Sequence, residues 1–238
     1  MKQIALIIAG GSGQRMHQDI PKQFLNVYDK PVIIYTLEAF QRHPCIDGIV
    51  VVCVEGWIQI LEAYCRQFGI TKLESIVPGG ENGQDSIRAG VGDIASRHEP
   101  VDLVLIHDAI RPLVSEEIIS DCIRVARQYG NAVSVVPCTS AMLCTRDGES
   151  SDEQISRDNL KVTQTPQCAS VETLVKAHKE ALERGITNTV ATCTLFIELG
   201  RRLHFSLGSE KNIKLTSVDD LEIFEALLNA RKAEWIKE

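Results

Sequence analysis

The sequence predicts an α/β protein with a mostly parallel, twisted sheet and helices on both of its faces. Short segments rich in β-branched residues alternate with longer segments of helical spacing, an order typical of parallel strands joined by helices. The strand segments are apolar almost throughout, as expected where both faces of a sheet are covered. A chain of 238 residues, 44% of them hydrophobic, suits one large domain, and we expect residues 1–238 to form it.

The alternation is clearest in the first 137 residues. Strands are predicted at 3–9, 48–54, 73–77, 102–108 and 132–137, and helices at 31–43, 57–69, 84–98 and 115–130. Later segments predict helices at 174–185 and 190–200 and strands at 202–207 and 212–216. A final helix is predicted to begin near Ser217, which caps it, while Asp219 and Asp220 favour its positive end.

The regular pattern is interrupted at residues 138–166. The middle of this segment is polar and carries turn signals, and its ends could pair as an extended hairpin. A solvated loop is the simplest interpretation. A long structureless loop is uncommon inside a compact domain, however, so we expect a structured arm.

Composition narrows the class of protein. A net charge of −7 and a pI near 5.4 give no electrostatic footprint for duplex nucleic acid. The apolar stretch at residues 4–9 is too short for a signal or membrane segment, so no membrane association and a cytoplasmic location are expected. The eight cysteines include no C-x-x-C pair, which argues against a zinc site and favours reduced thiols.

A glycine-rich turn follows the first predicted strand, in AGGSGQRMHQDIPKQFL at residues 9–25. It lacks the third glycine of a dinucleotide fingerprint, the G-K-[ST] of a Walker A loop and a G-x-S-x-G elbow. A flexible backbone remains that can offer N–H groups to phosphate oxygens. Such glycines are commonly only turn formers, but Arg15 and Lys22 follow closely, and Pro21 can fix the segment that presents Lys22.

Ligands of such sheets bind beyond the carboxyl ends of the strands. This rule selects the loops at 10–22, 79–86 and 108–112. Asp108 ends a strand at this edge and is the best candidate for a magnesium ligand, because Mg²⁺ is held at phosphate sites by one or two carboxylates. The alternative is an aspartate that caps the loop ahead of Pro112.

Five motifs in order resemble the cytidylyltransferases that make CDP-alditols, which include the methylerythritol 4-phosphate and ribitol 5-phosphate enzymes. They are AGGSGQRM…PKQFL, PGGENGQDSI (78–87), HDAIRP (107–112), SRDNLKVTQTPQ (156–167) and NIKLT (212–216). The resemblance implies a Rossmann-like nucleotidyltransferase fold. It also implies attack of an alditol phosphate on the α-phosphorus of CTP, with Mg²⁺ as the cofactor and release of pyrophosphate.

The resemblance assigns roles to individual residues. Arg15, Lys22 and Lys214 are expected to be catalytic, with Lys214 on a late strand beside the phosphates, and Asp108 is expected to bind the metal. The expected nucleotide-binding residues are Ala9, Gly10, Gly11, Ser12, Gly13, Gly79, Gly80, Glu81, Ser86 and Ala109. The expected acceptor-binding residues are Arg111, Arg157 and Thr165.

Residues 138–166 resemble the β-arm of this family, which implies a homodimer in which Arg157 and Thr165 reach the acceptor across the interface. A monomer with a loop is the alternative. The match departs from the methylerythritol phosphate enzymes at Thr139-Ser140-Ala141 and Asn188-Thr189, on the acceptor side, and at Gly83, where the family often has arginine. We therefore expect CTP chemistry with an altered acceptor.

Two other functions stay open at this point. One is a catalytically silent nucleotide-binding paralogue, against which the presence of Arg15, Lys22 and Asp108 argues. The other is a nicotinamide-dependent oxidoreductase of the same fold class, against which the missing third glycine argues. The sequence leaves open whether the product serves isoprenoid-precursor or surface-polymer synthesis.

Overall fold

A seven-stranded sheet forms the centre of the computed structural model, which describes residues 1–11 and 20–235. In chain order, the strands are β1 (Gln3–Ala9), β2 (Asn26–Val27), β3 (Lys30–Pro31), β4 (Gly48–Cys53), β5 (Leu73–Pro78), β6 (Leu103–Asp108), β7 (Asn131–Pro137), β8 (Met142–Cys144), β9 (Glu153–Ile155), β10 (Lys161–Ser170) and β11 (Phe205–Leu207). The helices are α1 (Val32–Arg42), α2 (Ile58–Gln67), α3 (Gly83–Ala95), α4 (Glu116–Tyr129), α5 (Val171–Glu183), α6 (Thr192–Glu198) and α7 (Val218–Trp235).

The strand order across the central sheet is β11-β7-β10-β6-β1-β4-β5. β1 lies between β4 and β6 and pairs with both in parallel, so that Ile4 is opposite Gly48 on one side and Val104 on the other. β10 runs antiparallel to both β6 and β7. The predicted mostly parallel sheet is confirmed, and β10 is an antiparallel strand that the sequence pattern did not reveal.

Helices cover both faces of this sheet, as predicted. Ala5 and Ile7 of β1 face a core shared with α1, α2 and α4. Ile4 and Leu6 face a second core shared with α3, α5 and α6. Successive side chains of a strand point to opposite faces, so burial on both sides explains the continuous apolar run in β1.

A third apolar cluster joins α7 to the loops near the carboxyl ends of the strands. Phe224 of α7 packs in this cluster with Val27 of the β2–β3 hairpin, with Ile110 and with Leu215. The Tyr28 hydroxyl adds a hydrogen bond of 2.8 Å to the side-chain oxygen of Asn229. α7 therefore packs against the β2–β3 hairpin, the loop at 108–112 and the segment that contains Leu215. No helix in the described ranges is both long and apolar enough to cross a membrane.

Residues 138–166 include a short hairpin, formed by β8 and β9 with Met142 opposite Ile155. The prediction of an arm over the whole segment needs correction, because residues 161–166 belong to β10 and Lys161 pairs with Pro137 in the central sheet. The arm proper is the stretch between β7 and β10. A single 3₁₀ turn at Arg157–Asn159 leads from the hairpin back to the sheet.

The predicted strand at 212–216 is wrong, since this segment runs beside the sheet without joining it. The Leu215 N–H donates to the Ile110 carbonyl at 2.9 Å, and the Leu215 side chain packs under α7. Apolar residues alternate here because one side of the segment is buried. The predicted cap is confirmed, because the Ser217 hydroxyl accepts from the Asp220 N–H at 3.3 Å.

Candidate active site

A cleft of about 580 Å³ lies where the three predicted ligand-binding loops meet, beyond the carboxyl ends of β1 and β6. Most of the described candidate residues line it. They are Ala9, Gly10, Gly11, Lys22, Gly80, Glu81, Ser86, Asp108, Ala109, Arg111, Thr165 and Lys214. Ser12, Gly13 and Arg15 lie outside the described residues. The topology therefore brings together residues that are up to about 200 positions apart in the chain.

Two glycines let the loops after β1 and β5 approach closely. A Cβ atom on Gly10 would lie 3.1 Å from the Ser86 hydroxyl, and one on Gly79 would lie 3.3 Å from the Gly10 Cα. Any larger side chain would push these loops apart. Gly79 does not line the cleft directly, and its contribution is this close contact beneath the loop.

The loop after β5 ends in a well-capped helix. The Asn82 side chain accepts from the Asp85 N–H at 3.0 Å, and the Ser86 hydroxyl accepts from the Gly80 N–H at 3.1 Å. These bonds fix the start of α3 at the wall of the cleft. The N-terminus of a helix carries partial positive charge, which favours a phosphate or another electron-rich ligand nearby.

Gln23 fixes the beginning of the glycine loop. Its side chain is buried, and its amide donates to the carbonyls of Ala9 and Gly11 at 2.8 and 3.1 Å. Lys22 precedes it in a 3₁₀ turn at Lys22–Phe24. The glycine loop and the predicted catalytic lysine are thus held together by one buried side chain.

Asp108 is the centre of the charged floor of the cleft. Its two carboxylate oxygens accept from the Lys214 ammonium at 3.1 Å and from the Arg111 Nε at 3.0 Å. Burial by itself would raise the pKa of Asp108, but the charges of Lys214 and Arg111 outweigh it and hold the pKa below its ordinary value. Asp108 is therefore ionised at neutral pH.

A hydrogen-bonded ring keeps Asp108 and Arg111 in place. The Thr165 hydroxyl accepts from the Asp108 N–H at 3.1 Å and lies 3.0 Å from the His107 Nδ1. The His107 Nε2 lies 3.1 Å from the Arg111 carbonyl, which can only accept. Burial lowers the pKa of His107 to about 4, so the His107 imidazole is neutral at pH 7. It carries its proton on Nε2, which donates to the Arg111 carbonyl. The Thr165 hydroxyl then donates to Nδ1.

Side-chain hydrogen bonds carry Lys214 to the cleft in place of strand pairing. The Gln164 side chain binds both the N–H and the carbonyl of Ser209, at 3.1 and 2.9 Å. The buried Asn212 amide donates to the Thr165 carbonyl at 2.8 Å, and the Asn212 carbonyl accepts from Arg111 Nη1 at 2.7 Å. Loop 208–216 is therefore attached to β10 and to the Asp108 turn at the same time.

Arg157, like Gly79, is a described candidate that does not line the cleft of its own chain. It lies on the arm, where its Nη1 donates to the Thr139 carbonyl at 2.6 Å. Its assignment to the acceptor site stays a prediction that depends on a second subunit. The binding roles of Ala109 and Thr165 are likewise predictions, although both residues line the cleft.

Several residues that organise the cleft were not among the sequence-based candidates. They are Gln23, Gln84, His107, Gln164 and Asn212, all of them buried polar side chains. All five lie inside the recognised motifs. Their burial was the missing signal, because a polar residue between loops gives no periodicity from which burial can be inferred.

These features define the class of the protein. Glycine-containing loops, a helix N-terminus and a charged floor converge at the carboxyl edge of a mostly parallel sheet, which is where such folds bind nucleotides. They are the features of a nucleotide-binding enzyme. Residues 3–230 match the family described as IspD: 2-C-methyl-D-erythritol 4-phosphate cytidylyltransferase, and the chain belongs to this family.

Known relatives agree with this assignment. A ribitol-5-phosphate cytidylyltransferase of Lacticaseibacillus paracasei is 42% identical over 96% of this chain and 98% of that protein. A 2-C-methyl-D-erythritol 4-phosphate cytidylyltransferase of Clostridium botulinum is 35% identical over 95% of this chain and 97% of that protein. The crystal structure of a 4-diphosphocytidyl-2C-methyl-D-erythritol synthase matches with a TM-score of 0.79 at 25% identity, covering 95% of this chain and 98% of that one. The predicted family and fold are confirmed.

Proposed function

We propose that this enzyme transfers a cytidylyl group from CTP to ribitol 5-phosphate, giving CDP-ribitol and pyrophosphate. The observation that carries the choice of acceptor is the identity of 42% to one ribitol-5-phosphate enzyme, whereas other ribitol-5-phosphate enzymes are 35–37% identical, a bifunctional IspD/IspF enzyme 38% and a methylerythritol phosphate enzyme 35%. The departures at Thr139-Ser140-Ala141 and Asn188-Thr189 support this choice. CDP-ribitol is an activated donor, which fits a role in surface-polymer synthesis.

In this reaction a phosphate oxygen of the acceptor attacks the α-phosphorus of CTP. The new P–O bond forms as the bond to the pyrophosphate leaving group breaks, so no covalent enzyme intermediate is required. Two polyanions must approach each other, and cations that stabilise the developing charge lower the barrier. Lys22 and Lys214 line the cleft from different loops. Arg15, outside the described residues, is proposed to assist them.

Arg111 suits the acceptor phosphate. Its side chain is 12% exposed, and the guanidinium is held by Asp108 and by the backbone carbonyl of Asn212. Arginine presents a rigid fork of donors that matches a phosphate group. Because its Nε and Nη1 are already engaged, the position of the remaining donors is fixed before substrate binds.

Asp108 fits the role of a magnesium ligand. The carboxylate is ionised at neutral pH because of Lys214 and Arg111, and it lines the cleft where phosphates are proposed to bind. Mg²⁺ is typically bound in such sites by one or two carboxylates together with substrate oxygens. When bound, the ion would neutralise triphosphate charge and polarise the α-phosphate. The position of the ion would be set by the Asp108 carboxylate, which Lys214 and Arg111 hold in place.

The arm supports the proposal of a homodimer. Leu143 is 65% exposed, and Met142 and Ile155 of the hairpin are also exposed. A second subunit could cover these apolar side chains without leaving any of their atoms in need of a hydrogen-bond partner. A symmetric dimer would also bring Arg157 to the partner's cleft.

A cytoplasmic location is inferred from the eight free thiols, which a reducing compartment preserves.

The test is pyrophosphate release from CTP and Mg²⁺ with a panel of acceptors, and mass spectrometry of the products. The panel contains ribitol 5-phosphate, methylerythritol 4-phosphate and other alditol phosphates. We expect the highest kcat/KM for ribitol 5-phosphate, with CDP-ribitol as the product. Preferred turnover of methylerythritol 4-phosphate would refute the proposed acceptor. Binding of CTP without turnover of any acceptor would favour the silent paralogue.

A further inference from the structure

The position of Lys214 in the cleft depends on the backbone of loop 208–216. Its side chain is 43% exposed, and its ammonium contacts Asp108 at 3.1 Å. Water screens an ion pair with so exposed a partner, and the four-carbon stem of a lysine is flexible. The ion pair by itself therefore leaves the ammonium several positions, and the loop backbone has to select one of them.

Two buried side chains, Gln164 and Asn212, fix this backbone just before Lys214, and we call them the loop clamp. Gln164 of β10 accepts from the Ser209 N–H at 3.1 Å and donates to the Ser209 carbonyl at 2.9 Å. The Asn212 amide donates to the Gln164 side-chain oxygen at 3.2 Å and to the Thr165 carbonyl at 2.8 Å. The two side chains are 7% and 0% exposed, so water does not compete for these bonds.

A second attachment follows directly after Lys214. The Leu215 N–H donates to the Ile110 carbonyl at 2.9 Å, and the Leu215 side chain is 2% exposed. Lys214 therefore lies between two fixed points of the loop. The Asn212 carbonyl also accepts from Arg111 Nη1 at 2.7 Å, so the clamp is joined to both cations of the charged floor and fixes their spacing.

The amide of Asn212 is not the choice that stability alone would favour. Its Oδ1 is buried and has no hydrogen-bond partner among the residues that the structure describes. A buried polar atom without a partner costs free energy. Local departures from the most stable arrangement are typical of functional sites, which indicates that residue 212 serves the placement of its neighbours.

We propose that Gln164 and Asn212 are positioning residues of the transfer reaction and that they act through Lys214. The proposal rests on the proposed function, in which the Lys214 ammonium stabilises the charge that develops when the α-phosphorus is attacked. Such stabilisation requires donors that are already in place before the reaction, and a misplacement of about 1 Å can lower a rate about 100-fold. Loss of the clamp should therefore lower kcat more than it weakens CTP binding, to which the glycine-containing loops also contribute.

The test is a double-mutant cycle, with kcat and KM measured for CTP and ribitol 5-phosphate. Gln164→Leu and Asn212→Ala are each made in the wild-type enzyme and in Lys214→Ala, and either clamp variant alone completes a cycle if the other fails to fold in thermal unfolding. Gln41→Leu is the matched control. Gln41 also joins a helix to a loop, by hydrogen bonds of 2.8 and 2.9 Å, and it does not line the cleft.

We expect each clamp variant to lower kcat about tenfold, with the KM for CTP within about threefold and Gln41→Leu equal to the wild type. In Lys214→Ala the same substitutions should lower kcat by less than about twofold, because the group that they position is gone. A wild-type kcat in the clamp variants, or an equal loss in both backgrounds, would overturn the inference while leaving the proposed function intact. A wild-type enzyme that makes no CDP-ribitol would overturn both.

Discussion

Replacing Gln23 with leucine should loosen the glycine loop and destabilise the protein. The buried amide makes two hydrogen bonds, to Ala9 at 2.8 Å and to Gly11 at 3.1 Å. The change removes both of these hydrogen bonds. The Ala9 carbonyl is not left unpaired, because it still accepts from the Val54 N–H at 3.2 Å. The expected cost is therefore that of about two net hydrogen bonds, or about 2 kcal/mol. For a protein of this size, that free energy corresponds to a decrease in Tm of about 4–8 °C.

The same change should weaken CTP binding, because the Gly11 backbone is no longer fixed beside Lys22. We expect the KM for CTP to rise about tenfold, equivalent to about 1.4 kcal/mol, with a smaller change in the acceptor KM. Thermal unfolding and initial-rate kinetics measure the two effects, with Gln41→Leu as the control. Gln23→Glu should be worse than Gln23→Leu, since it places a carboxylate against two carbonyl oxygens. A Tm and a CTP KM that both match the wild type would refute this account of Gln23.

Three further predictions concern catalysis, acid stability and assembly. Lys22→Ala should lower kcat about 100-fold or more, as loss of transition-state stabilisation does; a kcat within a few-fold of wild type would show that Lys22 is not catalytic. Burial and the nearby Arg88 lower the pKa of His178 from its ordinary 6.5 to about 4. Below pH 6.5 the unfolded chain binds a proton at His178 that the folded protein does not. The free energy of unfolding is therefore retained above pH 6.5 and falls by roughly 3 kcal/mol as the pH drops to 4. His178→Leu should reduce the slope of Tm against pH in this window, leaving the contribution of His107, and an unchanged slope would contradict the assignment. Leu143→Asp on the arm should convert a dimer to a monomer in light scattering, whereas an unaltered mass would show that the arm hairpin is not the interface.

The parallel half of the sheet was predictable because its strands are buried on both faces. β4 is apolar throughout, β1 is apolar after Gln3, and β6 is apolar up to His107 and Asp108. Such a run between helical segments is typical of a strand that is buried on both faces. β10 was missed because its first half, KVTQT, is polar. Thr163, Gln164 and Thr165 of this half line the cleft, so its polar composition suits a ligand and hides the strand.

Segment 212–216 shows the opposite error. Ile213 and Leu215 alternate with polar residues as in a strand, but Leu215 is buried in the cluster under α7. Alternation reports that one side of a segment is buried, and it does not report pairing with another strand. The recognised motif nevertheless placed Lys214 correctly at the cleft, 3.1 Å from Asp108, because a motif carries tertiary information that periodicity lacks.

The buried glutamines lie in the recognised motifs as well, but their structural roles could not be predicted from the sequence. Gln23, Gln84 and Gln164 each bind backbone groups that are distant in the chain or lie in loops. Their partners are defined only after the sheet has assembled. Composition classes glutamine as a surface residue, so its structural role becomes visible only from burial and geometry.

The position of β10 has a consequence for the order in which the chain can fold during synthesis. β10 lies between β6 and β7, although it follows both of them in the chain. The four strands β1, β4, β5 and β6 can pair once residue 108 has left the ribosome, but β7 has no partner in the central sheet until residues 161–170 are also made, and β11 pairs with β7. The nascent protein therefore passes through a stage with a complete parallel half and an open edge at β6, which is the kind of surface that chaperones bind and that aggregation exploits.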